Sequence, residues 1–204
     1  MNRISYYEQL KVLARDIRLK YGLFTPEVRL SDLRRIYKEY GIKIDLWQRK
    51  LRNLRGAYFN DDSGVTVMIS KNLPEEPRIF TMAHELKHHL TDSDLGFSYC
   101  DQYAKKIEIG AEIFAAELIF PEQDFTAWME DRGIRAKKCK SETIVHLKRD
   151  TKTTLSYSGL VKRAEFLGFI DPGAFARIKW KKLEEEIYGM PIYKKLRLRQ
   201  KARA

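Results

Sequence analysis

Cysteine and long apolar segments are both scarce in this chain. Cys100 and Cys139 are the two cysteines among 204 residues. They are not spaced as a metal-binding knuckle, and two lone thiols suit a reducing cytosol. No apolar run approaches the ~18 residues of a membrane span, and the N-terminus lacks the apolar core of a secretion signal. We therefore expect a cytoplasmic protein without membrane contact.

Two common catalytic patterns are also missing: no Ser-His-Asp arrangement and no glycine-rich phosphate loop is evident. Hydrophobic residues make up 44% of the chain and aromatic residues 12%, which is enough for a core. The net charge is +11, from 39 Lys and Arg against 28 Asp and Glu. Residues 179–204 hold nine basic and three acidic residues, so this tail carries +6 of that charge. Such a tail is usually solvated; weak contact with nucleic acid is the alternative.

Apolar periodicity predicts an α+β protein that is mostly helical. Residues 56–59 and 65–69 flank a polar turn and predict a β-hairpin, and 42–46 alternate as a strand does. Ser31 is the expected N-cap of the second helix, and 92–103 and 133–141 are expected to be loops. The predicted helices are 3–21, 30–40, 77–91, 104–119, 122–132, 142–151 and 157–168.

Residues 84–88 read His-Glu-Leu-Lys-His, the H-E-x-x-H form of a zinc peptidase site. Residues i and i+4 of a helix share one face, so His84 and His88 can bind one metal ion. Glu85 is then placed to act as a general base on a water at that metal. Lys87 lies off the ligand face. The alternative is a solvated helix that happens to carry two histidines.

A catalytic zinc site needs a third protein ligand and an open position. Glu108 and Glu112, in the run Glu-Ile-Gly-Ala-Glu, are the candidates. We predict Glu108 as the third ligand, as in gluzincins, with Glu112 as the alternative. The other carboxylate would then fix the ring of a ligand histidine, unless both are surface residues. Glu117 is predicted to be on the surface. Zn²⁺ is the default metal, and Mn²⁺ is compatible with the same ligands.

Three further residues are candidates for roles near the site. His89 points about 100° away from His88 on the helix, which favours a satisfied polar residue over a substrate contact. His146 and Tyr157 are candidates for stabilising the oxyanion of the reaction. The hairpin at 56–69 offers an edge strand to which a peptide substrate could add, unless that edge is paired within the sheet.

Several segments together resemble the ImmA/IrrE family of metallopeptidases. The first motif covers 54–59, 65–69 and 78–88, and the second covers 108–121 with its closing proline. Residues 156–157 and 163–170 are similar to the family's helix-turn-helix-like segment, and the resemblance extends over about 5–175. The chain departs from the family at three positions: Lys87 often corresponds to glycine, Gly110 usually to glutamate, and Glu112 commonly to Asn or Asp.

The resemblance implies a zincin-like metallopeptidase domain at 1–135 with a small β-sheet. A helix-turn-helix-like unit at 136–178 and a basic tail at 179–204 would follow. It also implies a zinc-dependent endopeptidase that cleaves a helix-turn-helix repressor of the XRE type and so derepresses stress or mobile-element genes. Two alternatives are a DNA-binding regulator that uses 142–170, and a protein that sequesters a repressor without cutting it.

Overall fold

The computed structural model describes residues 2–48, 55–93, 101–191 and 194, with only the backbone described for 101–104. Cys100, residues 94–100 of the predicted loop and nearly all of the tail after 191 therefore lie outside the described residues.

The described residues form an α+β fold that is mostly helical, as predicted. The strands are β1 (Lys43–Trp47), β2 (Gly56–Asp61) and β3 (Gly64–Ser70). The helices are α1 (Arg3–Tyr21), α2 (Leu30–Glu39), α3 (Glu75–Thr91), α4 (Asp101–Ile119), α5 (Glu122–Glu130), α6 (Ser141–Thr151), α7 (Tyr157–Phe166) and α8 (Trp180–Tyr188). Within the described residues, no helix is long and apolar enough to cross a membrane.

The three strands form one sheet in the order β1-β3-β2. β1 runs parallel to β3, and β2 runs antiparallel to β3, with which it forms the predicted hairpin. Val67 and Ile69 of β3 are buried on the same face of the sheet, as the two-residue period of a strand requires. Among the described strands, β2 pairs with β3 alone, so its other edge is an edge of the sheet.

The ends of the first two helices show how local sequence sets their bounds. Gly22 ends α1 with a left-handed φ of 66°, a conformation that glycine adopts without strain. The prediction of Ser31 as the N-cap of α2 was wrong. Arg29 is the N-cap, and its backbone N–H donates to the Asp32 carboxylate over 2.8 Å. The acidic side chain in the first turn thus sets the start of α2 two residues earlier.

α1 packs against α4, and a glycine permits the close approach. A Cβ at Gly110 would lie 2.8 Å from Leu10 Cδ1 and 3.1 Å from the Tyr6 ring. A larger residue at 110 would have to displace these side chains of α1. Glu117 of α4 is fully buried and accepts from Arg15 of α1 over 2.9 Å, so the prediction of a surface position was wrong.

The chain divides into two compact units. The first comprises 1–125 and 151–156, and the second comprises 126–150 and 157–204. The domain boundaries predicted after 135 and 178 remain predictions.

α8 is the helix that the sequence analysis did not anticipate, because 180–188 were assigned to the basic tail. It belongs to the second unit, where the Tyr188 hydroxyl lies 2.5 Å from His146 Nδ1 and the Arg149 guanidinium lies 3.8 Å from the Tyr188 ring centroid. The sequence signal for α8 was the helical spacing of its apolar residues, namely Trp180, Leu183 and Ile187.

Candidate metal centre

Helix α3 presents both motif histidines on one face. His84 and His88 are one turn apart, and their Nε2 atoms lie 3.3 Å from each other. The opposite side of the helix is anchored in the core by buried apolar residues, namely Ile79, Met82, Ala83 and Leu86. The core contacts therefore fix the direction in which the two imidazoles point.

Helix α4 brings a carboxylate to the same place. Glu108 Oε2 lies 3.2 Å from His84 Nε2, and Glu108 Oε1 lies 3.5 Å from His88 Nε2. The hydrogen bond from His84 lowers the pKa of Glu108, although partial burial opposes the shift. Glu112 is exposed and lies outside this group. The structure thus brings Glu108, the preferred third ligand, to the histidine pair.

The spacing of the three groups fits a divalent metal ion. In a tetrahedral zinc site with bonds of about 2.0–2.1 Å, neighbouring ligand atoms are about 3.3 Å apart. The 3.3 Å between the two Nε2 atoms matches this value, and the two oxygens of Glu108 lie 3.2 Å from His84 Nε2 and 3.5 Å from His88 Nε2. Two imidazole nitrogens and one carboxylate oxygen are also ligands that zinc prefers. The Glu108 side chain is 59% exposed, so solvent and substrate can reach the group.

Glu85 lies beside the ligand pair but is buried, with 6% of its surface exposed. Burial raises its pKa, and the nearby Glu108 carboxylate adds to that shift, whereas His84 and His88 oppose it. A carboxylate whose pKa is raised towards neutrality is a stronger base, as general-base catalysis near pH 7 requires.

The first residue of β2 lies against this carboxylate. A Cβ at Gly56 would lie 2.9 Å from Glu85 Oε1 and 2.4 Å from Thr81 Cγ2. Only glycine therefore fits here without displacing its neighbours. Gly56 was not predicted to be part of the site, although glycine within a strand often marks a close approach.

His89 lies on the side of α3 that faces β2. The Tyr58 hydroxyl and His89 Nδ1 are 3.2 Å apart, and the Tyr40 ring packs edge-on at 5.5 Å between centroids. Burial lowers the pKa of His89. These contacts agree with the prediction of a satisfied polar residue.

One residue that contacts a ligand histidine, Asp92, was missed. His88 Nδ1 lies 2.8 Å from Asp92 Oδ2, and the Lys87 ammonium donates to the same oxygen over 2.5 Å. Burial alone would raise the pKa of Asp92, but the hydrogen bonds from His88 and Lys87 outweigh it and the pKa is lowered. The ionised carboxylate can only accept, so His88 donates from Nδ1 and keeps its Nε2 lone pair for a metal.

This arrangement differs from the sequence-based expectation. Glu112 was expected to fix a ligand histidine, and Asp92 does so for His88. The four-residue spacing between His88 and Asp92 repeats that of the motif histidines and was the available signal. Lys87 lies off the ligand face, as predicted, yet it is fully buried and bound to Asp92.

The two candidates for oxyanion stabilisation lie in the second unit. His146 is paired with Tyr188, and the Tyr157 ring stacks on Trp180 with 5.1 Å between centroids. Neither belongs to the group formed by His84, His88 and Glu108. Their catalytic role remains a prediction.

Comparison with known proteins agrees with this geometry. Residues 38–149 match the family model of the IrrE N-terminal-like domain, peptidase family M78. This match covers more than half of the chain, including α3 and α4, and the chain belongs to that family. Membership supports a metallopeptidase-like role.

One similar solved structure is described as a Mycobacterium tuberculosis transcriptional regulator. It shares 15% identity with this chain at a TM-score of 0.56, and the alignment covers 80% of this chain and 50% of that one. The chain thus spans half the length of this neighbour, and the likeness concerns the fold. No curated protein matches the sequence.

Proposed function

We propose that this protein is a zinc-dependent endopeptidase whose metal is held by His84, His88 and Glu108. The observation that carries the proposal is the convergence of two imidazole Nε2 atoms, 3.3 Å apart, with the Glu108 carboxylate, whose two oxygens lie 3.2 Å from one Nε2 and 3.5 Å from the other. Family membership supports the same class of activity. Mn²⁺ is an alternative occupant.

The buried carboxylate of Glu85 is the proposed general base. Zinc, when bound, supplies a Lewis acid for the scissile carbonyl and an acidified water. Glu85 accepts the proton of the attacking water and then gives it to the leaving amine. The raised pKa of Glu85 suits both transfers, because the carboxyl must take up and release one proton in each cycle.

The edge of β2 that faces away from β3 is the proposed site for the substrate backbone. An extended peptide can add to an exposed strand edge through main-chain hydrogen bonds. β2 pairs with β3 alone among the described strands, and it begins at Gly56, next to the Glu85 carboxylate. A peptide on this edge would therefore pass the general base.

We infer that the substrate is a repressor of the XRE helix-turn-helix type, in the cytoplasm, and that its cleavage derepresses stress or mobile-element genes. The resemblance to the ImmA/IrrE family supports this inference. The helix pair α6 and α7, joined by 152–156, is the proposed helix-turn-helix-like unit.

The properties of α7 favour a protein partner over DNA. Arg163 is buried, so it cannot reach a DNA groove, and Lys162 is the exposed cation of this helix. Phe166, at the end of the helix, is 69% exposed. A groove-reading helix would instead present several polar side chains to base edges.

A second candidate function is regulation by binding alone, either to DNA or to an intact repressor. The concentration of positive charge in the second unit favours it: 126–150 and 157–204 hold 19 Lys and Arg against 9 Asp and Glu, a net charge of +10. The prediction of weak nucleic-acid contact through the basic tail depends on the same charge.

Glu85→Gln separates these functions. We expect this variant to retain zinc and repressor binding but to lose cleavage, which mass spectrometry of the repressor would detect. The matched control is Glu112→Gln, which replaces an exposed carboxylate on α4 and should leave cleavage intact. Equal cleavage by the wild type and Glu85→Gln would contradict the peptidase proposal. Duplex binding that weakens with salt and survives removal of the metal would favour a DNA-binding regulator.

A further inference from the structure

We propose that Lys87 is a positioning residue of the metal centre, which acts through Asp92 on the ligand His88. The inference rests on the proposed metal site. Lys87 lies within the H-E-x-x-H motif but off the ligand face, so it cannot itself bind the metal.

The contacts form a continuous chain from Lys87 to the ligand. The Lys87 ammonium donates to Asp92 Oδ2 over 2.5 Å, and the same oxygen accepts from His88 Nδ1 over 2.8 Å. The Thr91 hydroxyl donates to the other oxygen, Asp92 Oδ1, over 3.0 Å. The carboxylate is thus held at both oxygens, and the plane of the His88 ring is fixed by a partner that cannot rotate freely.

Burial makes this chain energetically significant. Lys87 is fully buried, and the side chains of Asp92 and His88 are 5% and 10% exposed. A buried ammonium without a partner is strongly unfavourable, so Lys87 and Asp92 hold each other in place. A lysine on the surface is not held in one rotamer in this way, because water solvates its ammonium in any rotamer.

Lys87 also connects the two helices that supply the ligands. Its ammonium donates to the backbone carbonyl of Ile107 over 3.3 Å, and Ile107 is the residue before Glu108. One side chain of α3 therefore contacts both the carboxylate behind His88 and the α4 backbone next to Glu108. The Ile107 carbonyl thus helps to hold the ammonium beside Asp92, and the effect of Lys87 on the ligand His88 passes through that carboxylate.

The test compares zinc affinity in four full-length variants. They are Lys87→Met, Asp92→Asn, the double variant, and the control Lys106→Met. Lys106 lies over the same Tyr6 ring as Lys87, at 4.6 Å against 5.8 Å, but has no described contact with Asp92. Affinity is measured by competition with a chromophoric chelator, and the absorption spectrum of the Co²⁺ form reports ligand geometry without any need for cleavage.

We expect Lys87→Met to weaken zinc binding about 10-fold and Asp92→Asn up to about 100-fold, the range found for partners of metal ligands. Because Lys87 acts through Asp92, the double variant should bind zinc no more weakly than Asp92→Asn. Lys106→Met should match the wild type. The Co²⁺ spectrum should shift in Lys87→Met and not in Lys106→Met.

The inference is overturned if folded Lys87→Met binds zinc as tightly as the wild type. It is also overturned if the losses of zinc-binding free energy in Lys87→Met and Asp92→Asn add in the double variant. If Lys87→Met does not fold, Lys87→Gln removes the charge but keeps a polar end, and the same weaker binding is expected. A wild-type chain that binds zinc but cleaves no repressor would refute the proposed function and leave this test intact. Wild-type affinity in Lys87→Met with cleavage still dependent on Glu85 would refute this inference alone.

Discussion

The two units differ in their net charge and in how many of their charged residues are buried. The first unit has a net charge close to zero, with 20 Lys and Arg against 19 Asp and Glu, and it buries several of them, including Glu85, Lys87 and Asp92. The second has a net charge of +10, and Arg163 is the buried charged residue in its described part. Burial of a charge is costly unless it is paired. Lys87 and Asp92 are such a pair, whereas exposed charges act at longer range.

The largest expected effect is a difference in zinc content between two variants, each of which lacks one histidine of one unit. His88→Ala removes a proposed metal ligand from the first unit, and zinc content after purification should fall to background. His146→Ala removes the partner of Tyr188 in the second unit and should leave zinc content at the wild-type level. Elemental analysis of the two proteins checks both expectations. Full zinc content in His88→Ala would show that the motif does not hold the metal.

The two carboxylates of α4 offer a finer test within the first unit. Glu108→Gln removes a charged oxygen next to both imidazoles, so we expect zinc affinity to fall at least as far as the ~100-fold seen when an outer partner is lost. Glu112→Gln, one turn further along and exposed, should change the affinity little. Chelator competition measures both constants. The opposite ranking would make Glu112 the third ligand.

Gly56→Ala tests whether the approach of β2 to Glu85 needs the space that glycine leaves. The added Cβ would lie 2.4 Å from Thr81 Cγ2, and overpacking of this kind costs about 1–3 kcal/mol of unfolding free energy. Cleavage should fall as well, since the same atom would lie 2.9 Å from Glu85 Oε1. Denaturant unfolding and repressor cleavage are the two measurements.

A second substitution isolates the cause. Thr81→Ser removes the Cγ2 atom that clashes, so Gly56→Ala should cost less stability in that background than in the wild type. Cleavage should stay low in the double variant, because the contact with Glu85 is unchanged. Equal costs in the two backgrounds would show that the Thr81 contact does not determine the effect.

The features that could be predicted from the sequence are those that depend on local spacing. Apolar periodicity located α1, and Pro77 located the start of α3 to within two residues. The four-residue spacing of His84 and His88 placed both imidazoles on one face. Glu108 was predicted as a ligand because the second motif places it on the helix that follows the one with the two histidines. In each case the relevant residues lie on one helix, or on two helices in direct contact.

The features that were missed depend on neighbours distant in sequence. Glu117 was predicted to be on the surface because nothing local identifies its partner Arg15, which lies about a hundred residues away on α1. The crowding at Gly56 likewise depends on how β2 meets α3. α8 was missed for a different reason, since the basic composition of 179–204 hid the spacing of its apolar residues.

The smallest expected effect concerns a buried thiol of the second unit. Burial raises the pKa of Cys139 to about 11, although a hydrogen bond with Thr143 opposes the shift. The folded state therefore favours the protonated thiol, and the contribution to stability is full below the ordinary thiol pKa and is lost as the pH rises towards about 11. Because the thiolate is the nucleophile, native Cys139 should react slowly at pH 8.

Alkylation with iodoacetamide measures this directly. Cys100→Ser leaves Cys139 as the single thiol, so mass spectrometry reports one site. We expect little modification of the native protein at pH 8, a rise as the pH approaches about 11, and rapid modification in urea at either pH. Native and unfolded protein reacting equally at pH 8 would contradict the expectation. In the first unit buried polar groups converge around the proposed metal site, which solvent can reach. Slow alkylation of Cys139 would show that burial in the second unit makes a thiol unreactive instead.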